Sequence, residues 1–117
     1  MTAPAHLTNP DWWNERMARL DELAALEPGW IDDAPAPTQE GVEATRQVLA
    51  VVRGLTLMYP TRLAPQVMPM TDGGTQIEWH EQGWDVEIEI SATGRIETWA
   101  HHRADDLTFT YPADGAS

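Results

Sequence analysis

The amino-acid sequence predicts an α+β fold, with two N-terminal helices packed on one face of a C-terminal antiparallel sheet of four to five strands in a meander. Apolar residues recur every three or four positions up to Tyr59 and every second position after Pro60. Residues typical of tight turns separate the alternating segments, as in strands joined by hairpins. At 117 residues the chain has the length of a single domain, which we assign to 1–117.

The first helix is predicted at 10–27. Asn9 can cap it, Pro10 suits the first helical position, and Pro28 ends it. Its apolar stripe comprises Trp13, Met17, Leu20 and Ala24, widened by Leu23 and Leu26. Trp12 lies outside this stripe and is expected to be partly exposed.

A proline-rich linker at 28–37 is expected to run extended between the helices. The second helix is predicted at 38–59, with Thr38 as its N-cap and Pro60 after its end. The residues spaced to form its buried stripe are Val42, Thr45, Leu49, Val52, Leu55 or Thr56, and Tyr59, widened by Val48 and Val51.

The sheet is predicted at 64–111, followed by a disordered tail at 112–117. Asp72, Gly73 and Gly74 form the turn between the first two strands. The strands are expected at 66–70, 75–80, 84–90, 95–100 and 107–111. Prolines place the first of them at a sheet edge.

Alternation divides the strands into an apolar and a polar face, as in an antiparallel sheet with one side on the core and one in water. The apolar face, expected to pack beneath the helices, comprises Ile77, Trp79, Trp84, Val86, Ile88, Ile90, Ile96, Thr98 and Ala100. The polar face comprises Glu78, His80, Asp85, Glu87, Glu89, Arg95, Glu97 and Trp99. This second set makes the outer side of the sheet predominantly acidic.

Charge is the strongest compositional signal. Nineteen acidic residues against seven basic ones give a net charge of −12, and all seven bases are arginine. Such a field repels nucleic-acid phosphates and anionic lipids, so it argues against both as direct ligands and favours a basic protein partner. The chain has no cysteine, which excludes disulfides and thiolate chemistry.

The N-terminal segment has neither the basic nor the apolar region of a signal peptide, and no apolar run approaches the length of a membrane span. We therefore expect a cytoplasmic protein.

Three motifs resemble those of a family of small uncharacterised bacterial and phage proteins. The matching residues are Gly29, Trp30, Ala34, Pro35 and Pro37, then Asp72, Gly73, Gly74, Gln76, Glu78 and Trp79. They correspond to a Gly-Trp pair, an Ala-Pro-x-Pro linker before a helix, and an Asp-Gly-Gly-x-Gln-x-Glu-Trp hairpin. The resemblance covers about residues 20–90. It implies the fold and, by analogy only, an antitoxin-like or immunity-like role.

Catalytic and metal chemistry find little support in the sequence. His80, His101 and His102 with Glu78 or Glu81 are candidate metal ligands, but adjacent histidines on a strand point to opposite faces. The sheet glutamates resemble an acid/base pair only if a cleft raises one pKa, and a solvated face is the simpler interpretation. We therefore predict no catalytic residue, no cofactor and no metal site.

The sequence predicts a non-enzymatic binding module that neutralises or regulates a basic partner, such as a toxin or a nucleic-acid-acting enzyme, through an acidic sheet face or an edge strand. The candidate partner-binding residues are Glu78, His80, Asp85, Glu87, Glu89, Glu97 and Trp99. The alternative is a phage-type inhibitor that mimics nucleic acid, and a third hypothesis is that the carboxylates only confer solubility. An exposed edge strand also makes a homodimer possible.

Overall fold

A computed structural model describes residues 11–58, 64–81 and 83–112, except for the side chains of 56–58. The helices are α1 (Trp13–Ala24) and α2 (Gln39–Met58), and the strands are β1 (Gln66–Pro69), β2 (Thr75–Glu81), β3 (Trp84–Ile90), β4 (Ile96–His102) and β5 (Leu107–Tyr111). All neighbouring strands are antiparallel, in the order β1-β2-β3-β4-β5. The predicted fold, two helices packed on a meander sheet, is confirmed. The predicted cap Asn9, Tyr59 and the tail at 113–117 lie outside the described residues.

Helix α1 is shorter than predicted, and the side of the helix that packs against the core differs from the predicted one. Its buried residues are Leu20 and Leu23, Ala24 is exposed, and Trp12 is only 6% exposed, so the expectation of a partly exposed Trp12 is wrong. The buried stripe passes through Arg16, whose Nε donates a hydrogen bond to the Pro65 carbonyl beside β1. Arg16 therefore lies on the packed side of the helix, because its methylene chain is buried and its guanidinium group hydrogen-bonds to a backbone carbonyl beside β1.

Helix α2 lies against β2 and β3 and is fixed at its start by Thr38. The Thr38 hydroxyl accepts from the Gly41 N–H at 3.0 Å, as predicted for an N-cap, and donates to the Ala92 carbonyl at 2.6 Å. The buried residues of the predicted stripe are Val42, Thr45, Leu49 and Val52. Val51 is 63% exposed, so its predicted burial is wrong because the packed stripe is narrower than expected.

The turn between β1 and β2 explains its Asp-Gly-Gly sequence. Gly73 has φ +91°, a conformation that side chains with a Cβ rarely adopt, while Gly74 passes so close to the Ile90 carbonyl that a Cβ has no space. Asp72 Oδ1 accepts from the Gly74 N–H at 2.9 Å. The turn therefore packs against the end of β3.

The hydrophobic core lies between the helices and strands β1 to β3. Its sheet residues include Val67, Ile77, Ile88 and Ile90, all buried. Strands β4 and β5 continue the sheet beyond the helices, and Ile96 is 39% exposed although it lies on the helix side. The expectation that Ile96 packs beneath the helices is wrong, because the contacts of both helices with the sheet, in the described part of the chain, are with β1 to β3. Within the described ranges, neither helix combines the length and apolarity needed to cross a membrane.

Candidate functional site

The strand register places all seven predicted binding residues on one side of the sheet. In β2 and β3, Glu78 pairs with Glu87 and His80 with Asp85. In β3 and β4, Glu89 pairs with Glu97 and Glu87 pairs with Trp99. His101, which was not among the predicted residues, lies on the same side opposite Asp85. We call this surface, comprising Glu78, His80, Asp85, Glu87, Glu89, Glu97, Trp99 and His101, the acidic face.

Two cross-strand pairs on the acidic face carry like charges. Glu78 lies directly opposite Glu87, and Glu89 lies directly opposite Glu97. Directly opposed like charges destabilise an antiparallel sheet, so these pairs do not contribute to folding through their charge.

The central carboxylates of the acidic face are the least compensated. Glu87 and Glu89 are half-buried, and neither side chain makes a hydrogen bond or an ion pair within the described residues. At the margins, Gln76 Nε2 donates to Glu78 at 3.0 Å and Arg95 Nε lies 3.7 Å from Glu97. The acidic face therefore holds two carboxylates without a described partner, Glu87 and Glu89, between two that have a polar or basic neighbour, Glu78 and Glu97.

Asp85 differs from the glutamates because its charge is used within the fold. Arg103, in the β4–β5 turn, donates from Nη2 and Nε to the two oxygens of Asp85 at 2.7 and 3.0 Å. His80 donates from Nδ1 to Asp85 Oδ1 at 2.6 Å, since an ionised carboxylate can only accept. His101 Nδ1 lies 3.9 Å from Asp85 Oδ2, and its Nε2 bonds Asp106 at 2.9 Å.

These contacts lower the pKa of Asp85 far below its usual range. The hydrogen bonds from Arg103 contribute most, and the bond from His80 contributes next. Reciprocally, Asp85 raises the pKa of Arg103. Asp85 is therefore a fixed anion that ties β2, β3 and the β4–β5 turn together.

Trp99 forms the aromatic part of the acidic face. It is 36% exposed, lies between Glu87 on β3 and Thr110 on β5, and stacks on His101 with ring centroids 5.9 Å apart. Strand β5 lies beside Trp99 and does not cover it. The indole is thus available next to the unpaired carboxylate of Glu87.

The sequence interpretation missed two residues, His101 on the acidic face and Arg103, which bonds Asp85 from the adjoining turn. His101 follows Trp99 at a spacing of two, so strict alternation was a signal that could have found it. Arg103 lies in a turn, where no periodicity indicates the direction of a side chain. His102 points to the helix side instead, where it bonds Asp105 at 3.0 Å and contacts the Trp84 ring.

In the described part of the chain, no three His, Asp or Glu side chains are placed to hold a metal ion. A cavity of about 330 Å³ lies elsewhere, between α1 and β1, and Arg16 and Arg19 in its wall already bond to strand carbonyls. The carboxylates of the acidic face do not line it.

Comparisons with protein-family models, curated proteins and solved structures found no match to this chain. The resemblance to the bacterial and phage family therefore stays a prediction.

Proposed function

We propose that the acidic face is the docking surface for a basic protein and that the chain is a non-enzymatic, antitoxin-like or immunity-like binding module. One observation carries the proposal. The central strand presents two half-buried carboxylates, Glu87 and Glu89, which have no side-chain partner among the described residues and each lie opposite another glutamate. A partner cation placed over them removes this repulsion, so binding gains electrostatic energy that the free protein lacks.

Trp99 gives the surface an anchor beside the charge. A partner arginine can place its guanidinium plane on the exposed part of the indole while it pairs with Glu87. Aromatic residues of this kind supply a large share of binding energy in protein interfaces.

The size of the surface favours this function over mimicry of nucleic acid. The carboxylates occupy three strands and four residue steps along β3, which corresponds to about 10 Å by 14 Å. Mimicry requires phosphate-like charge along an extended surface, whereas this surface is compact and contains an apolar anchor. The acidic face therefore matches a patch on a protein better than it matches the backbone of a duplex.

The test compares two triple variants that change the net charge equally. Glu87→Gln, Glu89→Gln and Glu97→Gln remove three charges from the acidic face. The matched control, Glu27→Gln with Asp32→Asn and Asp33→Asn, removes three exposed charges near the linker, none of which forms an ion pair within the described residues. Binding of a labelled arginine-rich peptide is measured by fluorescence anisotropy at several salt concentrations.

We expect the variant of the acidic face to bind the peptide at least about tenfold more weakly at low salt, with a shallower salt dependence. The control variant keeps most of the wild-type affinity, because it alters only the distant part of the field. Equal losses in the two variants would contradict the proposal, since they would mean that net charge alone attracts the peptide.

A further inference from the structure

The two edge strands of the sheet differ in their contacts with the helices. At β1, Arg16 and Arg19 of α1 donate hydrogen bonds to the carbonyls of Pro65 and Val67. At the other edge, β5 pairs with β4 alone, and all five of its residues are exposed. In the described part of the chain, neither helix contacts β5. Among the residues that the structure describes, nothing pairs with the outward N–H and C=O groups of β5, which therefore form an open edge.

Strand β5 itself carries none of the charges, prolines or bulges that keep edge strands apart, and the nearest charge and proline lie beside it, at Asp106 and Pro112. Its sequence, Leu-Thr-Phe-Thr-Tyr, contains no charged residue and no proline or glycine, in a chain that is 22% charged. Soluble proteins usually protect an open edge with charges, prolines or a bulge. An uncharged, β-branched and aromatic strand is instead well suited to pairing.

The side chains of β5 are arranged symmetrically about Phe109. Leu107, Phe109 and Tyr111 project on the helix side and are 50%, 54% and 71% exposed, while Thr108 and Thr110 lie on the side of the acidic face. The polarity of the strand therefore reads the same in both directions. When a strand pairs antiparallel with a copy of itself across a twofold axis, each residue lies opposite the residue equally far on the other side of the axis. Because the pattern of β5 is symmetric, apolar residues then face apolar residues and threonines face threonines.

We propose that a second copy of this chain binds here, with the two β5 strands antiparallel and a twofold axis at Phe109. Phe109 then faces Phe109 of the second copy, Leu107 faces Tyr111, and Thr108 faces Thr110. Apolar residues meet apolar residues on one side and threonines meet threonines on the other, which are favourable cross-strand pairs. The two sheets join into one, with both acidic faces on the same side.

Charge selects this occupant and this register. The net charge of −12 repels a second copy, and this repulsion is weakest where the meeting surface carries no charge, as in β5. A basic partner finds no carboxylate within β5 with which to form an ion pair. With the axis at Phe109, Asp106 of one copy lies about 20 Å along the strands from Asp106 of the other, beyond the Debye length of about 8 Å. An axis at Thr108 places Asp106 opposite Thr110 and brings these carboxylates into the interface.

The first test is the mass of the protein in solution, measured by sedimentation. We expect wild type at concentrations up to about 1 mM to reach twice the 13.1 kDa monomer mass, and to dimerise more tightly as salt screens the repulsion. Phe109→Lys should weaken self-association at least about tenfold, because it places two cations at the axis. Val51→Lys, at an exposed apolar position of α2, is the matched control and should dimerise like wild type.

The second test addresses the register. A mixture of Phe109→Lys and Phe109→Glu should dimerise more tightly than either variant alone, since only this register brings the two side chains together. Circular dichroism establishes that both variants fold, which the exposure of Phe109 favours. A wild type that stays monomeric, a Phe109→Lys variant that dimerises as tightly as wild type, or a mixture that associates no more tightly than the two variants alone would overturn the proposal.

Discussion

Asp85 is the residue that separates the structural part of the acidic face from the part available to a partner. Its two oxygens accept three hydrogen bonds, two from Arg103 and one from His80. Bidentate arginine–carboxylate pairs are among the stronger charge-assisted contacts in proteins. Glu87 and Glu89, two and four residues further along the same strand, have no such partner in the described part of the chain.

The lowered pKa of Asp85 predicts how the stability of the protein depends on pH. Because the pKa is lower in the folded chain than in the unfolded chain, the contacts of Asp85 stabilise the fold fully above the ordinary aspartate pKa of about 4. This contribution is lost as the pH falls below that value. The groups that face the carboxylate are His80, His101 and Arg103.

We therefore expect Asp85→Asn to be less stable than wild type at neutral pH, with the difference shrinking steadily between about pH 4 and pH 2. Urea denaturation across this range measures the change. Asp33→Asn, at an exposed residue without an ion pair, is the control and should follow wild type throughout. A difference that stays constant at low pH would show that the contacts do not depend on the ionised carboxylate.

At the scale of elements, the sheet keeps like charges opposite each other in β2, β3 and β4. Replacing Glu87 and Glu89 by glutamine removes both repulsive pairs without changing the size of the side chains. We expect this double variant to be more stable than wild type by about 0.5–1 kcal/mol at low salt, and the gain to shrink at high salt.

The measurement is urea denaturation at low and high ionic strength, with Glu27→Gln as a control that leaves the sheet unchanged. A double variant that is less stable at every salt concentration would mean that the two carboxylates hold the fold together. The acidic face would then have a structural role.

The faces of the strands could be predicted because a period of two leaves only one assignment of sides. Alternation alone therefore assigns the seven predicted binding residues to the correct side of the sheet, but it does not indicate which elements cover each side. This is why the exposure of Ile96, beyond the reach of the helices, was not foreseen. In α1 the apolar pattern favoured Met17 over Arg16, because a sequence pattern does not reveal that a guanidinium bonds to a distant strand carbonyl.

At the scale of the whole molecule, charge is divided between its layers. The two helices carry four of the seven arginines, Arg16, Arg19, Arg46 and Arg53, together with five acidic residues, whereas the acidic face carries five carboxylates. The helices also leave β4 and β5 uncovered. We therefore expect the acidic face to bind a basic partner and the uncharged edge to bind a second copy, and rising salt should weaken the first interaction and strengthen the second.

The most direct test of the docking surface is the position of a bound cationic ligand. Backbone amide and indole NMR shifts of the wild-type protein are followed during titration with the arginine-rich peptide. We expect the largest changes at the centre of the acidic face, at Glu87, Glu89 and the indole of Trp99, with little change in α1 and α2. Shifts spread evenly over the exposed carboxylates, or concentrated on the helices, would contradict the proposed surface.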